Sequence, residues 1–196
     1  SDYASALTTG ADGSIYIAGS TSSDLDDQTN SSNYYDAFIS KFNPDGTKGW
    51  TRLLGSSHSD YNDYGFGAYG NALTTGADGS IYIAGYTDSD LDGQTNNGDS
   101  DAFISKFNPD GTKVWSTLLG TSAWDAANAL TTGADGSIFI AGETGGDLDD
   151  QTNSGWEFSS DAFISKLNDL DEFVATISGT SGTDNLHSTT GNDVID

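Results

Sequence analysis

Near-copies of one segment recur three times along the chain, and this leaves few folds open. Ala6-Leu7-Thr8-Thr9-Gly10-Ala11-Asp12-Gly13-Ser14-Ile15-Tyr16-Ile17-Ala18-Gly19 returns from Ala72 to Gly85, and from Ala129 to Gly142 with Phe139 in place of Tyr. Asp36-Ala37-Phe38-Ile39-Ser40-Lys41 returns from Asp101 and again from Asp161. A spacing of roughly 60 residues marks one supersecondary unit repeated in series, not one irregular core. The repeats divide the chain into units 1–70, 71–127 and 128–178, followed by a tail, 179–196.

Each unit reads as all β. In the middle unit, short apolar-rich runs at 70–75 and 81–87 flank Ala77-Asp78-Gly79-Ser80, an Asp-Gly hairpin signal. After a polar loop comes the strand 101–107, then the turn residues Asn108-Pro109-Asp110-Gly111, then the strand 113–119. That makes four antiparallel strands per unit, and no helical period competes with them. The third unit departs from the pattern at its end, where Asn168-Asp169-Leu170-Asp171-Glu172 replaces the Pro-Asp-Gly turn and no Trp follows. A lone four-stranded sheet with apolar residues on both faces must bury both against neighbours. Stacked β-propeller blades are therefore expected, with a threefold β-prism-like domain as the alternative.

Gly70-Asn71-Ala72, Gly79-Ser80-Ile81-Tyr82-Ile83-Ala84-Gly85, Asp101-Ala102-Phe103-Ile104-Ser105-Lys106 and Trp115-Ser116-Thr117-Leu118-Leu119-Gly120 follow one another in order. In that order they resemble the bacterial propeller repeats called SBBP, over about residues 1–178. The resemblance implies propeller blades. Closed propellers use four to eight blades, so three imply either further blades or an assembly of copies, for instance two chains giving six.

Composition narrows the partners. Thirty acidic residues stand against 6 basic ones, a formal charge of −24, and only Glu143, Glu157 and Glu172 among the acids are not Asp. Nucleic acid and anionic membrane both call for basic patches and are not expected. The absence of Cys removes disulfides and thiolate metal sites. No apolar run reaches the length of a membrane span, so no membrane insertion is expected. Ser1-Asp2-Tyr3 shows no signal-peptide pattern, and the missing initiator Met suggests a mature or excised fragment.

The loop between the second and third strands is the richest in oxygen donors. It carries Asp24, Asp26 and Asn30 in the first unit, Asp90, Asp92 and Asn96 in the second, and Asp147, Asp149 and Asn153 in the third. Alternate oxygen-bearing side chains of this kind suit Ca²⁺. The other reading is a solvated loop whose Asp and Asn cap their own turns, with Leu25, Leu91 and Leu148 as inward anchors. In the tail, Gly179-Thr180-Ser181-Gly182-Thr183-Asp184-Asn185-Leu186-His187 resembles the opening of a repeats-in-toxin calcium roll, and 188–196 fits its second half. That resemblance implies Asp184 and Asp193 as Ca²⁺ ligands, and an exported parent protein.

No catalytic constellation stands out. His58 and His187 are the two His, there is no Cys, and near-identical units suit uniform stacking better than an asymmetric catalytic centre. Tyr34, Tyr35, Tyr61, Tyr64, Phe66, Tyr69, Trp124, Trp156 and Phe158 lie outside the expected strands. They could stack on sugars, as lectin platforms do, or pack between blades or at a subunit contact. Trp50 and Trp115 read as packing residues, and Asn30-Ser31-Ser32 is a glycosylation sequon. The expectation is a non-catalytic, Ca²⁺-stabilised structural or adhesive module, extracellular or at the cell surface. It would bind further blades or other copies of itself. Glycan binding is the alternative, and a propeller hydrolase comes third.

Overall fold

The computed structural model describes residues 1–31, 34–55, 67–148, 152–153 and 159–167, and the strand 173–178. Twelve strands follow in chain order: β1 (Asp2–Thr9), β2 (Ile15–Thr21), β3 (Asp36–Phe42), β4 (Lys48–Leu54), β5 (Ala68–Thr75), β6 (Ile81–Thr87), β7 (Asp101–Phe107), β8 (Lys113–Leu119), β9 (Asp125–Thr132), β10 (Ile138–Thr144), β11 (Asp161–Leu167) and β12 (Phe173–Ser178). They form three antiparallel sheets, β1-β2-β3-β4, β5-β6-β7-β8 and β9-β10-β11-β12. Each sheet is one propeller-type blade. The third closes with β12 although the Pro-Asp-Gly turn is missing from its sequence. β5 and β9 begin at Ala68 and Asp125, so the borders 70/71 and 127/128 drawn from the repeats fall inside these strands.

Strand alternation gives every blade two apolar faces, and the blades bury them serially. Tyr16, Ala18, Ala37 and Ile39 of the first blade meet Leu73, Ile81, Ile83, Leu91, Phe103 and Phe107 of the second in one core. Tyr82, Ala84, Ala102 and Ile104, on the opposite face of the second blade, meet Ile138, Ile140, Leu148, Phe163 and Leu167 of the third in another. β5 touches β1, β2 and β3, while β9 touches β5, β6 and β7. This face-to-face series sets the prism alternative aside.

The first strands of the blades lie side by side and are clasped by polar groups. Asn71 Nδ2 donates to the Ala127 carbonyl at 3.0 Å. The Thr74 and Thr132 hydroxyls are 2.9 Å apart, and Thr132 Oγ1 also donates to the Thr75 carbonyl at 2.9 Å. At the outer edge, Trp50 Nε1 donates to the Pro109 carbonyl at 3.1 Å and Arg52 Nε to the Gly111 carbonyl at 2.8 Å, tying β4 to the β7–β8 turn of the next blade.

A bulge in each first strand explains one repeated glycine. The register slips between Ala4 and Ala6 in β1 and between Gly70 and Ala72 in β5. In the third blade it slips opposite Ala141 and Gly142. The bulged strand presses its backbone onto the partner. A Cβ at Gly19, Gly85 or Gly142 would stand 1.8, 1.7 or 1.9 Å from the carbonyl oxygen of Tyr3, Tyr69 or Ala126. No helix among the described residues is long and apolar enough to cross a membrane.

Candidate functional site

The Asp-rich loops come first, because they repeat in all three blades. A Leu25–Gln28 bridge, repeated by Leu91–Gln94, closes the tips of the first two loops. Asp26 (φ 49°) and Asp92 (φ 52°) take left-handed backbone there, which Asp tolerates better than most residues. Asn30, Asn96 and Asn153 donate their backbone N–H to Asp24, Asp90 and Asp147 at 2.9, 3.0 and 2.8 Å. Their side-chain amides donate to the Thr21, Thr87 and Thr144 carbonyls at 3.1, 2.8 and 3.1 Å. Leu91 and Leu148 are buried beneath the loops, as expected of anchors, and Leu25 is partly buried.

In the first two loops the second carboxylate faces outward to the fourth strand. Asp26 pairs with Lys48 and accepts from the Thr51 hydroxyl. Asp92 pairs with Lys113 and accepts from the Ser116 hydroxyl. Each of these two loops thus uses one carboxylate to cap its own backbone and the other to hold the neighbouring strand. The carboxylates do not converge. Among the described residues, no three His, Cys, Asp or Glu side chains gather in a way that could hold a metal ion. A Ca²⁺ at these loops would compete with Lys48 and Lys113 for Asp26 and Asp92. Asp149, Asp184 and Asp193 lie outside the described residues, as do His58, His187, Tyr61, Tyr64, Phe66, Trp156 and Phe158.

Between the first loop and β4 lies an open cleft of about 500 Å³, lined by Asp26, Asp27, Gln28 and Lys48 to Arg52. Its Lys48 is the partner of Asp26, so its charge is already used. All six basic residues are spent in this way. Lys41, Lys106 and Lys166 reach Asp12, Asp78 and Asp135 at 3.3, 3.8 and 3.7 Å, Lys48 and Lys113 hold the loops, and Arg52 holds the next blade's turn.

Buried carboxylates form a second group. Asp36, Asp101 and Asp161 open the third strand of each blade and Asp125 opens β9; all four are buried. Asp36 accepts from the Ser31 N–H and hydroxyl at 2.7 and 2.9 Å, Asp101 from the Asn97 N–H at 3.0 Å, and Asp125 from the Thr121 N–H and hydroxyl at 2.6 and 2.9 Å. They fasten loops to strand ends. Burial pushes Asp36 and Asp101 above the ordinary carboxylate range, and the Asp125 charge adds to the effect on Asp101.

The most distinctive feature is a row of rings that crosses the first two blades at one rim and ends at the start of the third. Tyr3, Tyr35, Tyr69, Tyr86 and Trp124 follow with centroid separations of 6.1, 5.4, 4.8 and 6.1 Å. Beside it, burial pushes Asp88 up to about 6 and Tyr69 up to about 12. The inner rings cover one another's faces, so only the ends, Tyr3 at 58% and Trp124 at 38% exposure, offer a broad surface. Tyr69 was expected outside the strands and lies in β5 instead. Tyr3 and Tyr86 were not anticipated, because strand alternation alone does not separate a rim ring from a core ring. Core residues repeat in all three blades, whereas these do not: Tyr3 and Tyr69 share one position, which holds Ala126 in the third blade, and the position of Tyr86 holds Ser20 in the first blade and Glu143 in the third. Departure from the threefold repeat was the signal that could have found them.

Stacked four-stranded sheets with self-capped loops define an array of propeller-type blades, and one family comparison agrees. A family described as "Domain of unknown function (DUF5122) beta-propeller" matches residues 10–48 and 76–113, equivalent stretches of the first two blades. The curated protein "Regulatory protein FlaEY" of Caulobacter vibrioides is 27% identical over 182 residues, covering 82% of this chain. The chain spans 18% of that relative's length. A crystal structure of a protein of unknown function from Bacteroides caccae aligns with 94% of this chain and 65% of its own, at 10% identity and a TM-score of 0.42.

Proposed function

We propose that the chain is a non-catalytic structural and adhesive module that works outside the cell or at its surface and binds protein partners along the aromatic rim. The observation that carries this reading is the row from Tyr3 to Trp124. It runs along one rim from the first blade to the start of the third, and Tyr and Trp are the residues favoured at protein contacts. The buried carboxylates and the six basic groups serve the scaffold, which leaves the rim to carry specificity. Its exposed end rings also support glycan binding as a second reading, since a free ring face beside polar groups stacks on sugars.

One experiment separates these readings. Beads coated with the full chain are tested for adhesion to bacterial cells, in Ca²⁺ and in EGTA, alongside a glycan array. Adhesion is expected to fall at least tenfold with Trp124→Ala, to be unchanged by EGTA, and to occur without a hit on the array. A glycan hit lost with Trp124→Ala would replace the protein-partner reading with the lectin one. Adhesion abolished by EGTA would restore the calcium expectation, and no adhesion at all would remove the proposal.

A further inference from the structure

The two end faces of the array are copies of faces that are already buried inside it. On the second blade, Leu73, Ile81, Ile83, Leu91, Phe103 and Phe107 are covered by the first blade. The matching residues of the first blade are Leu7, Ile15, Ile17, Leu25, Phe38 and Phe42, identical in type at all six positions. There Leu7 is 67% exposed, and Ile15, Ile17, Leu25 and Phe42 are only partly buried. No other described sheet packs on that face. At the opposite end the third blade presents Phe139, Ala141, Ala162 and Ile164, the counterparts of Tyr82, Ala84, Ala102 and Ile104. Those counterparts are buried, whereas Ala162 is exposed and Phe139, Ala141 and Ile164 are partly exposed.

From this correspondence we infer that two copies of the chain join head to tail, the third blade of each covering the first blade of the other. Blade-on-blade contact is the one way this sequence is seen to bury such a face. It is seen twice, so the occupant is specified by the established interfaces. The edges match as well. Lys166 lies over the Phe139 ring at 5.7 Å, as Lys106 lies over Tyr82 at 5.5 Å. Asn128 occupies in β9 the place from which Asn71 reaches the next blade, and the first blade offers the Ala4 carbonyl where the third offers that of Ala127. Made twice about a two-fold axis, the contact closes two copies into six blades, within the range that closed propellers use. The inference does not depend on the adhesive reading, which concerns the rim.

Light scattering on the full chain at about 0.15 M salt, enough to screen its charge, tests it. The expected mass is twice the chain's 20.4 kDa. Leu7→Arg and Ala162→Arg lie on exposed positions at opposite ends and lower the net negative charge, so neither adds repulsion. Each alone is expected to run at the single-chain mass with an unchanged β-sheet circular-dichroism spectrum. Mixing the two at high concentration restores a doubled mass, because each supplies the face the other lacks. A wild-type monomer at every concentration would overturn the inference. So would a dimer indifferent to both variants, a mixture that stays monomeric, or assemblies larger than two copies.

Discussion

Gly85→Ala is expected to lower the melting midpoint by roughly 10 °C. A Cβ at this buried position would stand 1.7 Å from the Tyr69 carbonyl oxygen and 2.8 Å from its carbon. Those atoms belong to the bulged strand β5, whose opposite side is packed against the first blade, so they cannot retreat cheaply. Overpacking against backbone costs about 3 kcal/mol, and each kcal/mol moves the midpoint of a chain this size by roughly 2–4 °C. Gly46→Ala is the matched control. Its φ of +82° carries the left-handed strain, but nothing lies within 4 Å of an added Cβ, so about 1 kcal/mol is expected. Thermal melts followed by circular dichroism decide the matter. Equal shifts for the two variants would mean that backbone conformation, not the bulge contact, sets the glycine requirement.

Trp50→Ala is the second large effect, with a loss of about 2–3 kcal/mol, below the full core value because the ring is partly exposed. Trp50 is the outer latch between the first two blades. Its ring stacks on Phe107 at 6.4 Å with planes 25° apart and meets Tyr16 at 6.0 Å. It also lies so close over Gly111 that a Cβ there would come within 2.7 Å. Trp50→Phe separates the two contributions. It retains most of the stacking and gives up the Nε1 bond to the Pro109 carbonyl, for about 1 kcal/mol. Denaturant titration of both variants measures the difference. A Phe variant as damaging as the Ala one would place the latch in the hydrogen bond instead of the ring.

Much of the fold was legible in the repeats. The runs 81–87, 101–107 and 113–119 coincide with β6, β7 and β8, because alternation and turn residues act locally and Asp78-Gly79 and Pro109-Asp110-Gly111 punctuate them. The first strand of each blade was harder to read. Its bulge at Asn71 breaks the two-residue period, so the unit borders fell inside β5 and β9. The loops were legible as turn-capping Asp and Asn segments with a Leu anchor. The partners of Asp26 were not, since Lys48 and Thr51 reach it only after the third and fourth strands have folded beside it. The aromatic row was least legible of all: Tyr35, Tyr69 and Tyr86 come from two blades and meet only once the blades are stacked.

The stacking itself is the central claim, and a crosslink between first strands tests it most directly. The native chain has no Cys, so Thr74→Cys with Thr132→Cys introduces the single pair. The two hydroxyls stand 2.9 Å apart across the second and third blades, although 58 residues separate them in sequence. Mild oxidation of the dilute protein, followed by mass spectrometry of peptides, is expected to find one intramolecular disulfide joining β5 to β9. Free thiols, or bridges formed only between chains, would show that these strands do not lie side by side.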